Sequence, residues 1–192
     1  MKEIKLKNFR VCDETYIVSL GNGYQFDFKQ ERKALKFLSN TSQFLTEQLV
    51  FINNLYSRLF MTYRQYYLLF KPQKGKQAEI FQAERTITSS FTGIHESLEK
   101  AVWMCNTVNG NYIVFSAYYF CINSLRNICQ TLNLLSTRQK LTALKYELKG
   151  YHNEINQIER SLNEYGQIKA VRMIERARYS DIETINMSKV VS

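Results

Sequence analysis

Residues 45–70 read LTEQLVFINNLYSRLFMTYRQYYLLF. Within them Leu45, Leu49, Ile52, Tyr56, Leu59, Tyr63, Tyr66 and Phe70 follow one another at alternating steps of four and three. An apolar repeat averaging 3.5 residues is the seam of helices that wrap around one another with a left-handed twist. Three more stretches carry the same signature. Ile80, Glu84, Ile87, Phe91, Ile94, Leu98, Ala101, Cys105 and Val108 form the second, Val114, Tyr118, Cys121, Leu125, Ile128, Leu132 and Leu135 the third, and Leu141, Leu144, Leu148, Tyr151, Ile155, Ile158, Leu162 and Tyr165 the fourth. Only Glu84 breaks the apolar rule. The fold class that follows is mainly α: an antiparallel bundle of four long helices with coiled-coil-like seams.

The breaks between seams set the helix ends. Lys71-Pro72-Gln73-Lys74-Gly75-Lys76 and Asn109-Gly110-Asn111 are clear interruptions. They predict helices over about 43–70, 77–108, 112–135 and 138–165, and connections this short make neighbours antiparallel. The third junction, at Ser136-Thr137, has neither Gly nor Pro. A phase slip between Leu135 and Leu141 favours a tight turn there over one continuous helix. Gly166 is expected to interrupt the fourth helix, with a shifted helical segment over 168–178 and a frayed end beyond it.

The N-terminal part differs. Ile4 and Leu6 alternate with lysines. Val18 and Leu20, then Tyr24, Phe26 and Phe28, flank Gly21-Asn22-Gly23, a turn that tolerates positive φ. These runs predict a small two- or three-stranded β-hairpin or meander that must pack on the helices to be stable. Residues 29–40 read as a short separate helix, closed by Asn40-Thr41-Ser42, which can cap the next. The expected organisation is therefore a hairpin plus short helix over 1–40, the bundle over 41–166, and a basic helical extension over 167–192.

At 192 residues the chain fits one domain, and a 45 % hydrophobic content excludes wholesale disorder. The four cysteines, Cys12, Cys105, Cys121 and Cys129, form no CxxC pair, and the N-terminus MKEIKLKNFR lacks an apolar signal core. Together these point to a reducing, cytoplasmic setting with free thiols. The longest greasy run, 112–122, is too short to insert into a membrane as a spanning helix. Asn-, Lys-, Ile- and Tyr-rich usage fits an AT-rich genome such as that of a bacterium or phage.

No catalytic constellation emerges. A di-iron bundle needs inward carboxylates with Glu-x-x-His pairs, and neither His95 nor His152 stands three residues after a glutamate. His95 and Glu99 share a face, but two ligands do not close a metal site. No phosphate-binding loop, GxSxG elbow or dinucleotide fingerprint is present. No metal or cofactor is expected, and the chain reads as a non-enzyme.

Charge is distributed unevenly. Residues 111–136 contain one charged side chain, Arg126, and residues 44–70 only Glu47, Arg58 and Arg64. Two helices so poor in charge suggest more than one buried face. The leading expectation is a non-catalytic assembly or adaptor protein that binds a helical partner or self-associates as a homo-oligomer, with Phe51, Leu55, Phe115, Tyr119 and Ile122 at the interface. The competing explanation is that other parts of the same chain cover these faces.

The alternative function rests on 26 basic against 17 acidic residues, a net charge of +9. Such an excess favours an anionic partner. Lys71, Lys74 and Lys76, with Arg64 nearby, should meet Arg138, Lys140 and Lys145 at one end of an antiparallel bundle. Arg172 and Arg176 form a further cluster. Cations with tyrosines suit single-stranded or structured RNA or DNA. Tyr63 and Tyr66 fall on the seam and are expected to be core. Glu84 is expected either to reach solvent or to set register against Arg58 or Arg64.

Overall fold

In a computed structural model of the chain, the backbone is described over residues 9–12, 15–20, 25–70, 77–104 and 110–190, and side chains over the same residues except 9–12, 25, 110, 112 and 167–190. Three strands, β1 (Phe9–Cys12), β2 (Thr15–Ser19) and β3 (Gln25–Phe28), precede four helices: α1 (Glu31–Tyr67), α2 (Gln77–Met104), α3 (Gly110–Arg138) and α4 (Thr142–Val190). The chain divides into two compact units, Met1–Glu159 and Arg160–Ser192. The second is the C-terminal part of α4 and the residues after it. The expected strand-like run at Ile4–Lys7, the Gly21-Asn22-Gly23 turn and the 71–76 connection lie outside the described residues.

The strands form an antiparallel sheet in the order β1-β2-β3, with Phe9 opposite Val18 and Val18 opposite Phe26. Period-2 alternation sends Val18, Leu20 and Phe26 inward, where all three are buried. The sheet closes on the start of α1 through Phe37, whose ring lies 4.8 Å from Phe26 and 5.3 Å from Phe28.

α1 is one helix of 37 residues, so the expected short helix ending at Asn40-Thr41-Ser42 is not separate. The residues that looked like a stop are used inside the helix. Thr41 Oγ1 donates to the Phe37 carbonyl at 2.9 Å and Thr46 Oγ1 to that of Ser42 at 2.9 Å. This is back-bonding that hydroxyl side chains adopt in mid-helix. Ser42 Oγ donates to Asn111 Oδ1 at 2.8 Å, while Asn111 Nδ2 donates to the Leu38 carbonyl at 2.8 Å. One turn-pair further on, the buried Tyr118 hydroxyl donates to the Leu45 carbonyl at 2.7 Å. Both contacts advance by seven on each helix, so α1 and α3 run parallel.

The remaining pairs are antiparallel. Rising positions in α1 meet falling ones in α4: Arg58 with Glu154, Thr62 with Tyr151, and Tyr66 with Glu147. Between α1 and α2, Phe91 packs edge-on against Tyr56 and Phe60. Among the described residues, α2 and α3 share the most extensive contact of any helix pair. Ala83, Ser90 and Ser97 recur every seven residues on that flank of α2, and Gly93 lies beneath the Phe120 ring, where a β-carbon would stand 3.2 Å from Cζ. Small residues permit close backbones.

The third junction is a turn, and its geometry explains why no glycine announced it. Lys140 adopts φ 57°, the left-handed conformation. The Leu141 amide donates to the Ser136 carbonyl at 2.8 Å and the Lys140 amide to that of Thr137 at 3.4 Å. This is a Schellman closure with lysine where glycine is usual. An L-residue there costs about 1–2 kcal/mol. Lys140→Gly is therefore expected to raise stability by about 1 kcal/mol, and Lys140→Val to lower it, as urea unfolding would register. Gly166 does not interrupt α4, which runs through it to Val190. One mid-helix glycine costs only about 1 kcal/mol against alanine, which a long helix absorbs.

Candidate interaction surfaces

The connectivity brings the C-terminal end of α1, the N-terminal end of α2, the C-terminal end of α3 and the N-terminal end of α4 together. Arg138 pairs with Glu79 across α3 and α2, and Tyr66 donates to Glu147 across α1 and α4. The sequence-predicted cations Arg64, Arg138, Lys140 and Lys145 are all exposed at this end. Arg138 is balanced by Glu79, which removes it as a free charge, and the Arg64 guanidinium sits 6.0 Å from the Phe60 ring centre. Lys71, Lys74 and Lys76 lie outside the described residues. Arg172 and Arg176 belong to the second unit, on α4, with side chains outside the description. Tyr63 and Tyr66 are buried, as their seam positions predict. Burial pushes the Tyr66 hydroxyl above its ordinary pKa, and the hydrogen bond to Glu147 adds to it. Exposed tyrosines are instead Tyr67 at 44 % and Tyr146 at 74 %. Tyr146 was findable: it lies off the fourth seam, directly after Lys145.

Glu84 is half-buried and does not set register against Arg58. Arg58 turns to α4 and makes a two-pronged pair with Glu154, one arm at 3.1 Å. That hydrogen bond raises the already high Arg58 pKa. Glu84 acts instead on Tyr63, whose hydroxyl is raised first by burial, with the Glu84 charge adding to it.

The expected apolar interface divides. Leu55, Phe115 and Ile122 are at most 1 % exposed and belong to the core of the first unit. Buried there, they offer no surface to a partner: Leu55 lies on the core face of α1, and Phe115 and Ile122 lie on α3, which is flanked on three sides. Tyr118 reaches α1, Phe120 lies over Gly93 of α2, and Arg126 reaches Glu159 of α4 at 2.7 Å. A helix covered that far round needs little charge, which accounts for Arg126 being the one charged side chain among residues 111–136. Tyr119 is half-buried, its ring 5.5 Å from that of Phe115.

α1 is different. Phe51 is 57 % exposed, Val50 and Met61 are exposed with it, and so are Leu68 and Leu69 just past the end of the helix. Phe51 also borders a groove of about 420 Å³ between α1 and α4, with Asn54, Arg58, Glu154 and Ile158. The charge-poor stretch of α1 thus has a core face and, opposite it, a solvent face that carries apolar side chains.

Among the described residues, no group of three or more His, Cys, Asp or Glu side chains could hold a metal ion. The exposed His95 ring stacks on Tyr56 and stands 3.4 Å from Glu99. Cys121 and Cys129 are buried, and burial pushes each thiol up to about 12, far from the range of a nucleophilic thiolate. No described helix is long and apolar enough to cross a membrane. The chain is a helical bundle with an appended antiparallel sheet. No family model, curated protein or solved structure matches it.

Proposed function

We propose that this protein is a non-catalytic assembly or adaptor module that docks through the outer face of α1. One observation carries the proposal. After the core has been filled, α1 still presents Val50, Phe51, Met61 and Leu68 to solvent on a face where residues 44–70 supply only Glu47, Arg58 and Arg64 as charges. Solitary exposed apolar residues are ordinary, but several along one helix, with few charges among them, support a partner surface. The test is the solution mass of the nuclease-treated protein by light scattering on a sizing column, with absorbance at 260 and 280 nm recorded together. A discrete assembly free of nucleic acid is expected. A monomer that retains nucleic acid would sink the proposal.

That second outcome corresponds to the other reading, an accessory protein for single-stranded or structured RNA or DNA. It is favoured by exposed Tyr67 and Tyr146 at the same bundle end as exposed Arg64, Lys140 and Lys145. Bases stack on tyrosine while cations neutralise phosphate. Under that reading, Lys140→Glu with Lys145→Glu would weaken nucleic-acid binding and flatten its salt dependence, leaving solution mass unchanged.

A further inference from the structure

The pattern on the solvent face of α1 specifies its own partner. The core face of the helix steps by four and three through Leu45, Gln48, Ile52, Leu55, Leu59 and Thr62, all buried. On the opposite side a second stripe keeps the same steps: Gln43, Glu47, Val50, Asn54, then Ser57, Met61, Arg64 and Leu68. Every one of these is exposed. A helix with two opposed seams of period 3.5 can pack on both sides.

We propose that the partner is a second copy of this chain, joined antiparallel along the outer face of α1 with Val50 opposite Met61. This rests on the assembly reading above and adds to it the partner, the direction and the register. Reversing the stripe end for end maps it onto itself. Val50 then faces Met61, Glu47 faces Arg64, and Asn54 faces Ser57 across the two-fold axis. The same register carries Gln43 onto Leu68. The contact is isologous, each residue meeting on the partner the residue that meets it in turn.

Three properties of the stripe select this arrangement. The apolar residues Val50 and Met61 coincide rather than facing polar groups. Both charges are matched, so that two Glu47–Arg64 pairs flank the centre. The central Asn54 and Ser57 are uncharged and short, able to hydrogen-bond across the axis, and a polar residue in a seam fixes register. A parallel in-register pair would set Glu47 on Glu47 and Arg64 on Arg64, and like charges facing one another disfavour it. The stripe mixes polar and apolar side chains, and a single helix pair lies near the lower bound of about 1,000 Å² for a specific interface. The dimer is therefore a concentration-dependent one.

The experiment is sedimentation equilibrium on the full chain, nuclease-treated, for the wild type and for Glu47→Arg, Arg64→Glu and the two combined. Each single reversal places like charges together twice and is expected to weaken dimerisation by about tenfold or more. The combined variant restores both pairs and is expected to return to within about threefold of the wild type. A second measurement does not depend on charge. The chain carrying Val50→Cys and Met61→Cys is oxidised, and the bridge is located by mass spectrometry. An intermolecular 50–61 disulfide is expected, with none from either cysteine alone, because like positions stand too far apart for disulfide geometry. A dimer that ignores both reversals and forms no 50–61 bridge overturns this register and leaves the assembly reading in place. A monomer at every concentration overturns the dimer, and one that also retains nucleic acid overturns the assembly reading with it.

Discussion

Phe115→Ala is expected to lower the free energy of unfolding by about 3–5 kcal/mol, the cost of emptying a large aromatic site in a packed core. Phe115 has no exposed surface. It lies on the second buried row of α3, with Ile122 and Cys129 following at seven-residue steps, and its ring contacts Tyr119 at 5.5 Å. Little around it can collapse, because α3 is enclosed by three helices. In urea the midpoint should fall by at least about 1 M, given slopes of about 1–3 kcal/mol per molar for domains of this class. Phe51→Ala is the matched control. Phe51 is 57 % exposed, and its loss should leave folding stability within about 0.5 kcal/mol. If Phe115→Ala instead unfolds at the wild-type midpoint, Phe115 is not core and the enclosure of α3 is wrong.

The contrast between these two phenylalanines shows what periodicity can and cannot decide. Both stand on charge-poor helices, and from the sequence both fit an interface. What separates them is how many neighbours a helix has. α3 meets α1, α2 and α4, so its apolar arc is buried well beyond one seam, and among the described residues only its edges, at Ile113, Phe120 and Leu134, are exposed. α1 keeps a solvent face. Hydrophobic spacing names the centre of a buried stripe, but the width of the stripe depends on tertiary neighbours that spacing does not encode. The core of α1 makes the same point from the other side. Its buried positions include Thr41, Gln48 and Thr62. Thr62 receives its partners from α4, at 3.2 Å from Glu147 and 2.8 Å from the Tyr151 hydroxyl. Polar residues satisfied by a distant helix look like solvent positions in the sequence, so the apolar run Leu49, Tyr56, Tyr63 marked only the side that faces α2.

Helix number and direction were legible because the breaks at 71–76 and 109–111 are strong and the connections short. Ends set by local side-chain bonding were not. Asn40-Thr41-Ser42 carries a cap signature, yet Asn111, far away in sequence, takes Ser42 and the Leu38 carbonyl into a tertiary contact. The reverse happens at Lys140, where a turn closes without its usual glycine. That exposed Arg64, Arg138, Lys140 and Lys145 share one end of the bundle followed from antiparallel connectivity, while Lys71, Lys74 and Lys76 lie outside the described residues. That Arg138 is balanced by Glu79 did not, since the pair spans two helices.

Alkaline pH should destabilise this protein steeply, and the two buried thiols supply a defined share of the effect. Cys121 and Cys129 have an ordinary value of 9.0, and burial holds each at about 12 in the folded chain. Below pH 9 both folded and unfolded chains carry neutral thiols, and pH has no leverage through them. Between pH 9 and 12 the unfolded chain releases the protons while the folded chain retains them. The unfolded state then binds fewer protons, so stability falls as pH rises. The slope approaches about 1.4 kcal/mol per pH unit for each thiol, and across the window reaches about 4 kcal/mol for each. Two such losses rival the whole stability of a typical domain, about 5–15 kcal/mol. Tyr56, Tyr63 and Tyr66, raised chiefly by burial, act with the same sign from their ordinary value of 10.0 upward. Replacing both cysteines by alanine separates the contributions. The double variant is expected to start lower at neutral pH, because small cavities replace two sulfur atoms. Above pH 9 it should lose stability with a visibly shallower slope than the wild type, while Tyr56, Tyr63 and Tyr66 still act. Urea unfolding at half-unit steps from pH 8 to 11 measures both curves. Parallel curves would mean that the thiols ionise freely in the folded chain, and that the space between α3 and its neighbours admits water.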